Sequence, residues 1–307
     1  VAGGHLCRDE DVADLRARSI DVIAAGQAPS GAYSAAPTFG QYRDYCWFRD
    51  GSFIADAMSR VGETASAESF FDWGAEIVRA NPAGPWDARY RLDGSHDDTS
   101  WWPHDQLDGL GLWASATRAH VARHGVASRW DDAIDLVTAF LASHWRDPCV
   151  DWWEEREGVH AVTVGSIWAG IGDDELARVS RGACSVERLD GSHAFLVVLG
   201  LVDGSHLERI ERELGYHRHA DDEYYGGGEW PILAAFTGWA RHTLGLDASA
   251  QLAWIEAAAT NDGTLPEQTG KRLRPERYRP WVERWGEPAV PLLWSHAMYL
   301  TLLDVLA

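Results

Sequence analysis

The chain is short of positive charge. Against 47 aspartates and glutamates stand only 27 lysines and arginines, a net charge of −20 over 307 residues. Phosphate backbones are bound by clustered cations, so this balance argues against a nucleic-acid partner. It also disfavours an anionic membrane surface or an acidic polysaccharide, and a neutral ligand fits best. Cysteine is scarce too. Cys7, Cys46, Cys149 and Cys184 have no CxxC spacing, so neither zinc ligation nor a disulfide framework is expected, and isolated reduced thiols are. No apolar run approaches the length of a membrane span, and no charged n-region followed by an apolar h-region opens the chain. The expectation is a cytoplasmic protein. Convincing alternating strand patterns are also missing.

What remains is helical periodicity and tryptophan. Hydrophobic content of 46% is ample for a sizeable core, and of the 17 tryptophans core packing explains some, while several sit in loop stretches beside charges. An indole offers a broad apolar face with one N–H donor, suited to stacking and orienting a flat ligand. "EDVADLRARSIDVIAAG" places Val12, Leu15, Val22 and Ile23 near one helical face. Similar segments recur at about 50–62, 66–81, 105–124, 128–145, 158–170, 192–203, 204–214, 228–245, 247–260 and 290–306. With weaker candidates this makes about a dozen helices, which suits one toroid of paired helices, a single domain over 1–307, better than two domains.

Three connections, 26–48, 82–104 and 261–288, are too long for plain turns. They carry "QYRDYCWFRD", "SWWPHDQLDG" and "LPEQTGKRLRPERYRPWVERWGEP", stretches rich in aromatics and ionisable groups. Their aromatic content argues against disorder. The tetrapeptide "DGSH" occurs at 93–96, 190–193 and 203–206. It reads as metal-binding Asp/His pairs or as turn and helix N-cap chemistry, and the second is the better reading.

"DWWEEREG", residues 151–158, sets two indoles against two adjacent carboxylates. An amphipathic helix start is the plain reading. The chemical one is a carboxyl kept protonated near neutral pH, because apolar rings and a flanking anion both raise its pKa. Glycoside hydrolysis needs one such group, and a second, ionised carboxylate across the substrate. Glu154 meets the first condition, with Trp153 before it and Glu155 after it. Glu267 in "LPEQ" offers the second from a separate loop.

These stretches together resemble the inverting exo-glucosidases of the glucoamylase family (glycoside hydrolase family fifteen), and within it the isomaltose-cleaving bacterial branch. The matching pieces stand in family order: "YCWFRDGSFIADAM", "WWPHDQLDGLGL", "DWWEEREGVH", "RHADDEYYGGGEW", "LPEQ" and "WGEPAVPLLWSHAMYL". The resemblance implies an all-α (α/α)6 barrel with six inner and six outer helices and a pocket at one end. It assigns Glu154 as general acid and Glu267 as general base. Arg49 and Asp50 would hold hydroxyls of the non-reducing glucose, a surface ion pair being the alternative. Trp102 and Trp153 match pocket walls, while Glu155 and Arg218 match sugar contacts. Gln106 and Asp108 brace the pocket or cap a helix, and Ser295 supports the base.

Several features depart from the family pattern. His219 replaces an aromatic, the Glu154–Glu267 interval is short, and no β-sandwich is expected before the barrel. The tyrosine that helps hold the attacking water is Tyr42, with Tyr45 as the competing assignment. The expected activity is release of β-glucose from short α-glucosides, α-1,6-linked by preference. Glucoamylase, glucodextranase, trehalase and a non-catalytic sugar-binding barrel are the rivals. The expected partner is a small neutral oligosaccharide, with no cofactor and no metal.

Overall fold

Residues 9–98 and 102–307 are described by a computed structural model; Cys7, Ser100 and Trp101 lie outside them. The helices are α1 (Asp9–Ala25), α2 (Phe48–Arg60), α3 (Thr64–Ala80), α4 (Asp108–His124), α5 (Asp131–His144), α6 (Ala161–Ile171), α7 (Asp174–Val186), α8 (His193–Val198), α9 (Gly204–Glu213), α10 (Pro231–Thr243), α11 (Ser249–Ala258), α12 (Tyr278–Trp285) and α13 (Leu293–Leu306). Their packing closes a ring: α2 lies on α4, α4 on α6, α6 on α8, α8 on α10, α10 on α13, and α13 returns to α2. Outside it, α1 packs on α13, α3 on α2, α5 on α4, α7 on α6, α9 on α8 and α11 on α10. This is an (α/α)6 barrel.

Burial explains which helices go inside. On α13 every residue from Leu293 to Leu302 is buried, and on α2 nearly all are. By contrast, α9 buries only Leu207 and Ile210. A helix apolar all round must be enclosed, whereas one apolar stripe suits the outer layer. The barrel is plugged by aromatics. Phe53 of α2 stacks on Trp294 at 5.4 Å and meets Phe195, Phe236 and Trp152 edge-on. This cluster forms a floor on which a cavity can rest.

Close helix approach depends on two glycines. A Cβ at Gly111 of α4 would stand 2.5 Å from the Ser166 carbonyl oxygen on α6, and one at Gly170 would stand 2.6 Å from the Gly111 oxygen. Two short antiparallel ribbons complete the fold: β1 (Tyr45–Trp47) with β2 (Arg89–Arg91), and β3 (Cys149–Val150) with β4 (Glu157–Gly158). The second clasps the turn that carries Glu154. Among the described residues no helix is long and apolar enough to cross a membrane.

Three departures from the expected helices have local causes. The segment 192–203 is helical only to Val198, because Gly200 turns left-handed at φ +69° and Asp203 starts the next helix. Helix α7 is so polar overall that only Leu176, Ala177, Ser180 and Cys184 are buried, one narrow stripe with few large apolar side chains to announce it. Connection 261–288 contains α12, with Pro280 in its first turn where a missing N–H costs nothing. All three "DGSH" copies make the same turn: Asp93, Asp190 and Asp203 each accept hydrogen bonds from the N–H and hydroxyl of the serine two residues on.

If helix contact at Gly111 limits packing, Gly111→Ala forces backbone apart and should destabilise by about 1–3 kcal/mol. Gly182 of α7 has open space around it, so Gly182→Ala should instead stabilise by about 0.5–1 kcal/mol. Urea midpoints of the two variants test the contrast; a shift of the same sign in both would refute this account of the packing.

Candidate active site

A cavity of about 310 Å³ opens above the aromatic plug. Its walls come from the connections that lead into inner helices, from the first turns of α2 and α13, and from α12. Tyr42, Arg49, Asp50, Trp102, Trp153, Glu154, Glu155, Arg218 and Glu267 all line it. Residues far apart in sequence thus meet at one end of the barrel. Gln106, Asp108 and Ser295 lie behind this wall.

Arg49 organises one side. It is 6% exposed, and its guanidinium lies over the Trp294 ring at 5.6 Å. One terminal nitrogen donates to Gln106 at 3.1 Å and to Asp108 at 3.4 Å. Its Nε stands 3.4 Å from Asp50, and the other terminal nitrogen 3.7 Å from Glu154. The pair is therefore buried, which removes the surface ion-pair reading. Gln106 also donates to the Asp151 carbonyl at 2.7 Å, linking Arg49 to the turn that bears Glu154. Burial pushes the Asp50 carboxyl up to about 6, although Arg49 opposes the shift. Its Oδ2 and the Arg49 Nε have no hydrogen-bond partner among the described residues. A buried acceptor and donor side by side suit the vicinal hydroxyls of a sugar.

Glu154 adopts φ +61°, a left-handed conformation rare for a non-glycine residue. Its N–H donates to the Asp151 carbonyl, and the Glu155 N–H donates to the Asp151 side chain. This tight turn sends the two adjacent carboxylates to different partners. Glu154 accepts from the Trp47 indole at 2.7 Å. Desolvation pushes it up to about 7, with Arg49 and Trp47 opposing and Asp50 assisting. The sequence pattern pointed to Glu155 as the repelling anion, and that expectation is corrected here. Glu155 turns toward Arg218 at 2.6 Å and His219 at 3.0 Å. Burial raises its pKa, but these two partners outweigh the penalty and hold it down at about 2.

Arg218 is fixed by Asp222, which accepts from its Nε at 2.8 Å and from a terminal nitrogen at 2.5 Å. Its guanidinium also sits among the rings of Trp153, Tyr224 and Trp230. Trp153 is oriented by its indole N–H, 3.0 Å from both carboxylate oxygens of Asp190. Trp102 stands against Trp47, and the Arg89 guanidinium lies 4.0 Å from the ring centres of both Trp102 and Tyr45.

Glu267 is 2% exposed and faces a pair of phenols. Tyr42 donates to it at 3.2 Å and Tyr224 at 3.3 Å, and the two hydroxyls lie 2.8 Å apart. Tyr45, the competing candidate, belongs to β1 and packs on Arg89 instead. Burial pushes Glu267 up to about 7, against the pull of Tyr42, Arg218 and Tyr224. The segment is anchored on both sides: the Glu267 N–H donates to the Ala289 carbonyl, and the Ser295 hydroxyl donates to the Pro266 carbonyl at 2.8 Å. Sequence reasoning missed Trp47, Tyr224, Trp230 and Asp190. Each lies inside a stretch already singled out, but the pattern alone does not say which aromatic faces the cavity.

Comparison with known proteins agrees with this geometry. A model of glycosyl hydrolases family 15 matches residues 13–180. The isomaltose glucohydrolase of Kribbella flavida is 36% identical over 95% of this chain and 92% of its own length. A glycosidase variant solved in complex with glucose is 34% identical, with a TM-score of 0.89 over 100% of this chain and 99% of that one. The Hormoconis resinae glucoamylase shares the fold at 14% identity, with a TM-score of 0.75 over 97% of this chain and 73% of that one. The chain belongs to glycosyl hydrolase family 15 and is a glycoside hydrolase.

Proposed function

We propose that this enzyme is an inverting, exo-acting α-glucosidase that removes one glucose from the non-reducing end of short α-1,6-linked glucosides. One observation carries the reading: two buried carboxyls on separate connections, Glu154 and Glu267, face the same cavity, and both are pushed up to about 7. Glu154 protonates the leaving glycosidic oxygen. Glu267 takes a proton from water that attacks the anomeric carbon on the opposite face, with Tyr42 and Tyr224 holding that water. The Arg49–Asp50 pair anchors hydroxyls of the terminal glucose, and Arg218 with Glu155 contacts sugar near the scissile bond. Trp102 and Trp153 form the walls, Gln106 and Asp108 hold Arg49, and Ser295 steadies the base loop. No step calls on a cofactor or a metal. Cys46, Cys149 and Cys184 form no disulfide among the described residues, which supports a reducing compartment, the cytoplasm, as the proposed location.

Substrate length follows from the cavity. At about 310 Å³ it lies at the small end of ligand pockets, which run from about 300 to 1,000 Å³. Few contacts are then available to remote sugars, so longer chains gain no transition-state binding. The α-1,6 preference rests on the likeness to the isomaltose glucohydrolase.

Four measurements test these proposals. Glu154→Gln and Glu267→Gln should each lower kcat by about 10²–10⁴-fold while sugar still binds, and NMR of wild-type turnover should show β-glucose first. Release of α-glucose would refute inversion.

The pH profile should be a bell centred near 7. Below it Glu267 is protonated and cannot accept a proton from water; above it Glu154 has lost the proton it must donate. Glu155, held at about 2, stays ionised throughout. A kcat/KM profile flat through neutral pH would contradict the assignment.

Finally, kcat/KM should be higher for isomaltose than for maltose or dextran. Rates that climb with chain length would move the enzyme to the glucoamylase reading with the same two carboxyls.

A further inference from the structure

Away from the cavity, the second and third "DGSH" copies converge. His193 closes one copy at the start of α8, and His206 closes the other in the first turn of α9. Their Asp190 and Asp203 turns fix the backbone just ahead of each histidine. Cys184, near the end of α7, completes a triangle. Its Sγ lies 3.6 Å from His193 Nδ1 and 3.4 Å from His206 Nε2, and those two nitrogens are 3.3 Å apart. Cys184 and His193 are buried, and His206 borders a second cavity lined also by Arg181, Ser185 and Asp203.

We propose that Cys184, His193 and His206 form a binding site for a thiophilic divalent cation of the zinc class. The distances are those of one face of a coordination tetrahedron. With zinc–sulfur at about 2.3 Å and zinc–nitrogen at about 2.0–2.1 Å, tetrahedral angles place sulfur about 3.5 Å from each nitrogen and the nitrogens about 3.4 Å apart. Hydrogen bonding does not account for three such mutual separations, because each S–H or N–H points along one line to one acceptor and a ring nitrogen either donates or accepts. The donor set is a thiolate and two imidazoles, which favours zinc over magnesium or calcium.

Support lies behind the ligands. The far nitrogen of His193, Nε2, stands 3.6 Å from Glu187 Oε2, and the other oxygen of Glu187 accepts from the Ala161 N–H at 2.9 Å. A carboxylate behind a ligating imidazole sets its tautomer and raises its basicity. The fourth position faces the second cavity, where solvent or a small anion completes the shell. Metal binding staples α7, α8 and α9. Helix α8 is the shortest member of the inner ring, and Asp190 just before it orients Trp153. The sequence conceals the site because C-x8-H-x12-H has no CxxC element, and the "no metal" expectation followed from that.

The test uses the full chain carrying Cys7→Ser, so that the thiolate signal comes from Cys46, Cys149 or Cys184. After chelation and desalting, Co²⁺ is titrated in and absorption followed. One equivalent should give the near-ultraviolet thiolate-to-cobalt band and the intense visible bands of tetrahedral Co²⁺. Stoichiometric Zn²⁺ should bleach both and raise Tm. Adding Cys184→Ser or His206→Ala should abolish the signal, while Cys149→Ser should not. Glu187→Gln should weaken the affinity by about 10–100-fold. Circular dichroism checks that each variant is folded. Absence of a thiolate band in the Cys7→Ser protein, or a band that survives Cys184→Ser, overturns the proposal.

Discussion

A cation buried in the cavity wall sets the terms for everything around it. Arg49 cannot be desolvated unless anions and hydrogen-bond acceptors surround it. Those are supplied by its neighbour Asp50, by Gln106 and Asp108 at the start of α4, and by Glu154 on the turn before α6, with the Trp294 ring of α13 beneath. One side chain of α2 therefore ties down three further members of the inner ring or the connections leading to them. Gly109 makes this reach possible, since a Cβ there would stand 2.7 Å from the Arg49 backbone nitrogen. Packing and electrostatics are here the same constraint.

Adjacent carboxylates with opposite titration behaviour follow from that arrangement. Glu154 and Glu155 share a turn, yet one sits at about 7 and the other at about 2. Sequence proximity does not decide this. The left-handed Glu154 conformation separates the side chains, so Glu154 reaches the Trp47 indole while Glu155 reaches Arg218 and His219. A non-glycine residue in that conformation costs of order 1 kcal/mol, and such strain persists where the surroundings over-determine it. Here the β3–β4 clasp and the Asp151 turn do so. Asp50, over a hundred residues earlier in the chain, takes the part of the repelling anion.

Much of the fold was legible in the sequence. Inner helices such as α13 and α6 are nearly continuous apolar or small-residue runs, outer helices such as α9 carry single stripes, and both patterns follow from how much of each helix water touches. Helix α12 and helix α7 were not picked out, because α12 is only eight residues long with no fully buried residue and α7 buries one narrow stripe of mostly small side chains. The site was readable as a set of motifs, since proton transfer restricts the residue types that can perform it. Which aromatics belong to it was not.

By itself, the sequence determined the helical toroid, set the expectation of a neutral ligand and offered two glutamates as acid and base. These are properties of composition and local pattern, and survive without coordinates. Only the tertiary structure decided that Tyr42, not Tyr45, stands with Tyr224 over Glu267, and that burial raises Glu154 with help from Asp50 and none from Glu155. It alone brought Cys184, His193 and His206 to one point. Such relations depend on distance and desolvation between segments remote in the chain, and ring closure, not sequence spacing, sets those distances.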